Sequence, residues 1–163
     1  QSCLFLTDAD RLAAQTLLEL DLSPYRLVSL AACETAVTGN QTITDEYVGL
    51  VSAFLKAGAS CIVSTLWKVE SAASALLMVE FYRQLLAGRS PVVALKTAQT
   101  WLCRATREEL LRWLDEAIDL LREDKANRLT LEDIRDEIAE KEEGERPYGN
   151  PYYWAAFVVA GRC

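Results

Sequence analysis

Three short runs of apolar and partly β-branched residues recur in the first part of the chain, and helical patterns separate them. The runs are Cys3–Leu6, Leu27–Ala32 and Ser60–Leu66. Each is too continuously apolar for a strand with one face in water, which is typical of a buried parallel strand covered on both sides. A later run, Tyr153–Ala160 (YWAAFVVA), predicts one more strand. The alternation predicts an α/β fold with a mostly parallel sheet, right-handed crossovers and helices on both faces.

Four helical patterns accompany these runs, and most have recognisable ends. They are Leu12–Leu20, Asp45–Ala57, Glu70–Ala87 and 91–103. Thr44 is placed to act as the N-cap of the second pattern, and Gly58 follows its end. Gly88 ends the third pattern. Ser90-Pro91 then supplies a cap and a first-turn proline for the fourth.

The acidic residues are concentrated in one segment, residues 104–146. That segment holds fifteen Asp and Glu against nine Lys and Arg, whereas the whole chain has a net charge of −7. Two capping boxes, Thr106-x-x-Glu109 and Thr130-x-x-Asp133, each open a helical pattern. We interpret the segment as a helical hairpin inserted at the edge of the α/β core. It is either a solvated acidic packing element or a docking surface for a basic partner.

Size and charge bound the possible classes of protein. The 163 residues, 51% of them apolar, fit a single domain over 1–163 with a sizeable core. No run of 18 or more apolar residues occurs, which argues against a membrane-spanning helix. The absence of a basic stripe argues against nucleic acid and anionic membranes as partners. Because the chain begins at Gln1 with a strand-like run close behind, we interpret it as a piece of a longer, N-terminally truncated protein.

The five cysteines are scattered along the chain and form no C-x-x-C pair, and the chain contains no histidine. A zinc site is therefore not expected, and we predict neither a metal nor a cofactor. With no signal peptide pattern, cysteine usage predicts a reducing, cytoplasmic location.

Cys33 closes the buried run before it, and the polar stretch Glu34–Asn40 follows at once. Ligands of open α/β sheets bind beyond the carboxyl ends of the strands, so this thiol is a candidate nucleophile. A cysteine beside a buried strand is otherwise structural, since a reactive thiol needs a neighbour that lowers its pKa. Cys61 opens its run, so we interpret it as a small buried hydrophobic residue.

Four stretches taken together resemble the CHAT domain, the caspase-like domain associated with tetratricopeptide repeats. They are LVSLAACET (27–35), YVGLVSAFLKAGA (47–59), IVSTLWKV (62–69) and NPYYWAAFVVAG (150–161). The resemblance implies a caspase-like α/β sandwich and gives Cys33 the role of catalytic nucleophile. It also implies a base in a His-Gly pair on a strand before Gln1, and a repeat region upstream in the same polypeptide.

The resemblance also suggests where a basic substrate side chain would bind. Acidic residues after the TLW strand often accept Arg or Lys in this clan, and here Glu70 is the acid at that place. Asp45 and Glu46 are further substrate-binding candidates. The alternative for all three is ordinary, because acidic residues in the first turn of a helix favour the positive end of its dipole. Tyr153 and Trp154 either form a groove wall or pack in the core.

The sequence therefore predicts a caspase-like cysteine endopeptidase domain that cleaves peptide bonds through a thioester on Cys33. Its partners would be a protein or peptide substrate and the upstream repeat region. This chain alone has a nucleophile without a base, so we expect it to be inactive. The alternative is a catalytically inactive interaction module regulated by those repeats.

Overall fold

The computed structural model describes residues 3–5, 11–30, 43–121 and 124–163. Its strands are β1 (Cys3–Phe5), β2 (Arg11–Ala13), β3 (Val28–Leu30), β4 (Cys61–Thr65) and β5 (Phe157–Gly161). Its α-helices are α1 (Ala14–Leu17), α2 (Ile43–Lys56), α3 (Ser71–Leu86), α4 (Pro91–Arg104), α5 (Arg107–Leu120) and α6 (Lys125–Ala139). A 3-10 helix spans Pro151–Tyr153. The chain is thus a mixed α/β protein, as the sequence predicts.

The main sheet has the order β3-β4-β5 and is mixed rather than mostly parallel. β3 runs parallel to β4, with Leu30 paired to Ser64. β5 runs antiparallel to β4, so the sheet departs from the mostly parallel arrangement that the sequence predicts. The chain approaches β5 from the carboxyl end of β4, where the Leu66 amide donates to the Ala156 carbonyl (2.9 Å). The strand that follows must therefore run back along β4.

A second, two-stranded sheet lies in the N-terminal part, where a parallel strand and a helix are predicted. β1 pairs antiparallel with β2, and only Ala14–Leu17 of the predicted helix Leu12–Leu20 is helical. Ala13 has extended backbone angles and no side-chain cap forms there. A helix of four residues is at the lower limit of length, so tertiary contacts decide its bounds.

The helix ends set by glycine are confirmed, and one predicted cap is wrong. Gly58 and Gly88 follow α2 and α3 with φ of 106° and 84°, a conformation that glycine adopts at little cost. Thr44 is not an N-cap, because α2 already includes Ile43. Pro91 is the first residue of α4, whereas the hydroxyl of Ser90 makes no capping hydrogen bond.

The last strand begins four residues later than the sequence predicts. Asn150 accepts a hydrogen bond from the Tyr152 amide through Oδ1 (2.9 Å) and thereby caps the 3-10 helix. Pro151 fits the first position of that helix, and the Ala155 amide donates to its carbonyl (2.8 Å). The local turn chemistry thus prevails over the β propensity of Tyr153 and Trp154.

The acidic segment forms two packed helices, and one of its two predicted capping boxes is confirmed. Thr106 accepts from the Glu109 amide while the Glu109 carboxylate accepts from the Thr106 amide, so the box opens α5. The second box is wrong, because Asp124 caps α6 through the Asn127 amide six residues earlier. Thr130 lies inside α6, where its hydroxyl donates to the Ala126 carbonyl.

Two apolar clusters cover the two faces of β4. Val63 belongs to the larger cluster, to which α3, α4, α5 and α6 contribute, and Ile62 belongs to the smaller cluster with α1 and α2. Neighbouring residues of a strand face opposite sides of its sheet, so the helices cover both sides, as predicted.

A buried carboxylate ties the acidic segment to the core. Glu80 on α3 is 7% exposed and accepts from Trp113 Nε1 on α5 (3.3 Å). It also accepts from Gln84 Nε2, and Arg83 Nη1 lies 3.7 Å from its other oxygen. A buried carboxylate needs such partners, because an unpaired one would be very costly.

A disulfide bond joins Cys61, at the start of β4, to Cys163, 102 residues later and just beyond β5. Cys61 is buried, as predicted, at 1% exposure. Its role as a free hydrophobic side chain is corrected, because its sulfur is bonded. Cys103 on α4 carries a free thiol. The cytoplasmic location stays a prediction.

Candidate functional site

The candidate site lies at the carboxyl edge of the parallel pair of strands. Since Leu30 and Ser64 are paired, β3 and β4 end at the same edge. At that edge the chain continues from β4 through Leu66 and Trp67 to Glu70, the residue that caps α3. In open α/β sheets ligands bind at this edge, so the fold places the segment 66–70 where a site is expected.

The predicted nucleophile cannot be placed in this geometry. Cys33 lies outside the described residues, three positions after the end of β3. Asp45 and Glu46 lie in the first turn of α2, which fits the ordinary first-turn role, but the positions of their side chains are not described. Their role in binding substrate stays a prediction.

Glu70 acts as the N-cap of α3. One carboxylate oxygen accepts from the Ala72 amide (2.7 Å) and the other from the Ala73 amide (2.8 Å). The carboxylate thus satisfies two of the amides that a helix leaves without partners at its start. This geometry supports the first-turn role of Glu70. Because each oxygen has a second lone pair, the residue can also accept a cationic ligand.

An aromatic group adjoins Glu70 at the same edge. Trp67 Nε1 donates to the Tyr152 carbonyl (3.1 Å) and so joins the end of β4 to the 3-10 helix. Tyr153 makes edge-on contacts with Tyr148 (5.3 Å between centroids) and with Tyr152 (5.6 Å). Tyr152 is half exposed and Tyr148 is buried, so the group runs from solvent into the core.

The negative charge of Glu70 at this edge affects the pKa of the Tyr148 hydroxyl. Burial raises the pKa of Tyr148 above its usual value, and the negative charge of Glu70 raises it further.

Tyr153 and Trp154 both pack against the larger apolar cluster. The sequence gives no signal for the contacts of Tyr148 and Tyr152, because a turn rather than a strand presents them.

A second concave surface lies between α5 and α6. It has a volume of about 530 Å³ and is lined by Asp115, Asp119, Glu132 and Asp136 together with Arg135 and Ile118. Arg135 Nε lies 2.6 Å from Asp115, and Asp115, with a smaller effect of Asp136, holds the pKa of Arg135 above its usual value. Glu132 pairs with Arg128 (2.8 Å), so the four carboxylates exceed the two arginines and the surface is net anionic.

Among the residues that the structure describes, no group of three or more His, Cys, Asp or Glu side chains is arranged to hold a metal ion. No described helix is both long and apolar enough to cross a bilayer.

Comparison with known proteins identifies similar sequences but no similar solved structure. The family model of the CHAT domain matches residues 1–162. Tetratricopeptide repeat protein 28 of Homo sapiens is 37% identical over 87 residues, which is 53% of this chain and 3% of that protein. The Mus musculus protein of the same name is 42% identical over 77 residues, 47% of this chain and 3% of its own length. No solved structure matches the chain.

Proposed function

The chain belongs to the CHAT domain family, and from this premise we propose that it is the nucleophile-bearing part of a caspase-like cysteine endopeptidase. The observation that carries the proposal is the shared edge of β3 and β4. Cys33 follows Leu30 by three residues, and three residues of chain span at most about 11 Å. A thiol this close in sequence to the end of β3 supports a site at the edge where Glu70 and Trp67 lie.

The proposed reaction is hydrolysis of a peptide bond in two acyl-transfer steps. A base takes the proton of Cys33, and the sulfur forms a bond to the peptide carbonyl carbon. The carbon–nitrogen bond then breaks, and the amine leaves with that proton. Water next breaks the thioester and returns the thiol. The resemblance implies a histidine as the base, and the 163 residues contain none, so we propose that another segment supplies it.

Glu70 is the proposed recognition group for a basic substrate residue, with Asp45 and Glu46 as further acids. Two amides already orient the Glu70 carboxylate, so it is fixed before a ligand arrives. A guanidinium or ammonium group would use its remaining lone pairs. The half-exposed ring of Tyr152 would lie beside the aliphatic stem of that side chain.

The relatives suggest what kind of longer protein contains this domain. Each is named as a tetratricopeptide repeat protein and is far longer than this chain. We propose that repeats in the same polypeptide present the substrate or regulate the site.

The test compares the full-length protein that carries this chain with its Cys33→Ala and Cys103→Ala variants on an Arg- and Lys-containing peptide library. The first variant should lose at least about 1,000-fold in cleavage rate, since the nucleophile is removed. The second should retain full activity, because Cys103 lies on α4 among the packed helices. Undiminished cleavage by Cys33→Ala would refute the role of that residue.

The anionic surface between α5 and α6 favours a second function, that of an interaction module without catalysis. Four carboxylates there are balanced by only two arginines, Arg135 and Arg128, so a Lys- and Arg-rich partner segment fits by charge. If this function holds, the wild-type full-length protein cleaves no library peptide, and it binds such a segment with an affinity that falls as salt rises.

A further inference from the structure

A cleft of about 730 Å³ lies at the opposite edge of the sheet, at the amino end of β4. Four separate segments line it: the residues before β3, Ser60 and Cys61 at the start of β4, the turn between α3 and α4, and the residues after β5. Arg26, Arg89 and Arg162 line the cleft, and each comes from a different one of these segments. Its apolar walls are Leu27, Leu85 and Pro91.

The cleft is cationic although the chain is acidic. No Asp or Glu side chain is among its lining residues. Among the described residues, Arg26, Arg89 and Arg162 form no ion pair with a carboxylate. By contrast, the ion-paired arginines lie elsewhere, on α3, α5 and α6: Arg83, Arg107, Arg128 and Arg135. Three unneutralised guanidinium groups around one opening would repel one another, and an anion between them would relieve that repulsion.

The backbone holds two of these arginines around a single residue, Ser60. The Ser60 amide donates to the Tyr25 carbonyl (3.3 Å), next to Arg26. The Arg162 amide donates to the Ser60 carbonyl (2.8 Å). The disulfide at Cys163 holds the following residue. The segments that carry two of the cations are therefore fixed without any ligand.

The third arginine comes from the turn before α4. Arg89 Nη1 donates to Thr97 Oγ1 on α4 (3.1 Å), a residue outside the cleft lining, so the other N–H groups of the guanidinium are the ones available to a ligand. Ser90, next to it, is the N-cap residue of α4, and its hydroxyl makes no capping bond. The positive end of the α4 dipole adds to the positive potential of the three arginines.

We propose that this cleft binds a phosphate monoester whose organic group lies on the apolar wall. A phosphate dianion has three terminal oxygens and up to two charges, and guanidinium groups bind such oxygens in pairs. A carboxylate has one charge and two oxygens, so it leaves one arginine without a partner. The volume exceeds that of a phosphate group, and Leu27, Leu85 and Pro91 provide contacts for an attached apolar group.

Calorimetric titration of the full-length protein that carries this chain with phenyl phosphate at low ionic strength tests this site. Phenyl phosphate should bind at least about tenfold more tightly than benzoate, and more tightly than inorganic phosphate. Arg26→Gln and Arg162→Gln should each weaken binding by at least about fivefold, and the double variant by more. Circular dichroism checks that each variant is folded.

Arg112→Gln is the matched control, because it removes the same charge from the exposed face of α5, outside this cleft. It should leave binding unchanged. Equal loss in all variants would show a general charge effect and overturn the site, as would equal binding of benzoate. Vesicles with phosphatidic acid provide the second arm, since that lipid carries the same group. Binding of the vesicles without binding of phenyl phosphate would overturn a soluble monoester as the ligand.

Discussion

The two ends of β4 differ in both charge and construction. At the amino end a disulfide joins the strand to the chain beyond β5, and three arginines surround the opening. At the carboxyl end the Trp67 indole donates to the 3-10 helix, the Glu70 carboxylate caps α3, and Trp67 and Val69 pack with the larger apolar cluster. One strand thus separates a cleft with a disulfide and three arginines from an edge where noncovalent contacts surround one capping carboxylate. Changes at the two ends should therefore have separable effects on stability and binding.

The largest effect on stability should follow from removing the disulfide at the amino end of β4. Cys163→Ala removes a cross-link that closes a segment of 102 residues. In the chain-entropy account such a cross-link stabilises the fold by about 3–5 kcal/mol, because it restricts the unfolded chain. Urea denaturation under non-reducing conditions measures the difference in the free energy of unfolding. Cys103→Ala, which removes an unbonded thiol, is the control. Equal losses in both variants would mean that the cross-link adds no stability.

A smaller effect should follow at the carboxyl end. Glu70→Ala leaves the Ala72 and Ala73 amides without their acceptor, which should cost about 1 kcal/mol in the free energy of unfolding. Glu70→Gln keeps one oxygen acceptor and should lose less. The same denaturation assay measures both variants. An alanine variant as stable as the wild type would show that the Glu70 cap does not contribute to the free energy of unfolding.

The smallest effect is on the titration of Tyr148. Burial, and after it the charge of Glu70, raises the pKa of this residue. Above pH 10 the unfolded chain therefore binds fewer protons than the folded chain, so stability should fall as pH rises past that value. Absorbance at 295 nm follows tyrosinate formation in the wild type and in Tyr148→Phe. Glu70→Gln should lower the pKa of Tyr148. Titration of Tyr148 near pH 10 would contradict the negative potential at this edge.

The sequence predicted best where one residue type decides the local backbone. Gly58 and Gly88 end helices, because their positive φ values suit glycine. The capping box of Thr106 and Glu109 is also local, and it forms as predicted. Where two local signals competed, the prediction failed. Asp124 caps α6 before Thr130 can, and Asn150 with Pro151 turns a β-prone stretch into a 3-10 helix.

The sites were less predictable because their parts are distant in sequence. Glu70 was a candidate from its position after the TLW strand, and the structure places it as a helix cap at the expected edge. The arginine cleft gave no sequence signal, since Arg26, Arg89 and Arg162 are separated by more than sixty residues each. The direction of β5 also could not be predicted from the local sequence pattern, because a continuously apolar strand fits both parallel and antiparallel pairing.

Glu70 caps the start of α3, and Glu80 lies within the same helix ten residues on. The rise of an α-helix puts them roughly 15 Å apart. Glu80 accepts a hydrogen bond from Trp113 of α5, whereas the Glu70 carboxylate lies at the edge where β4 ends. One continuous helix therefore connects the packing of the acidic segment to the carboxyl edge of the sheet.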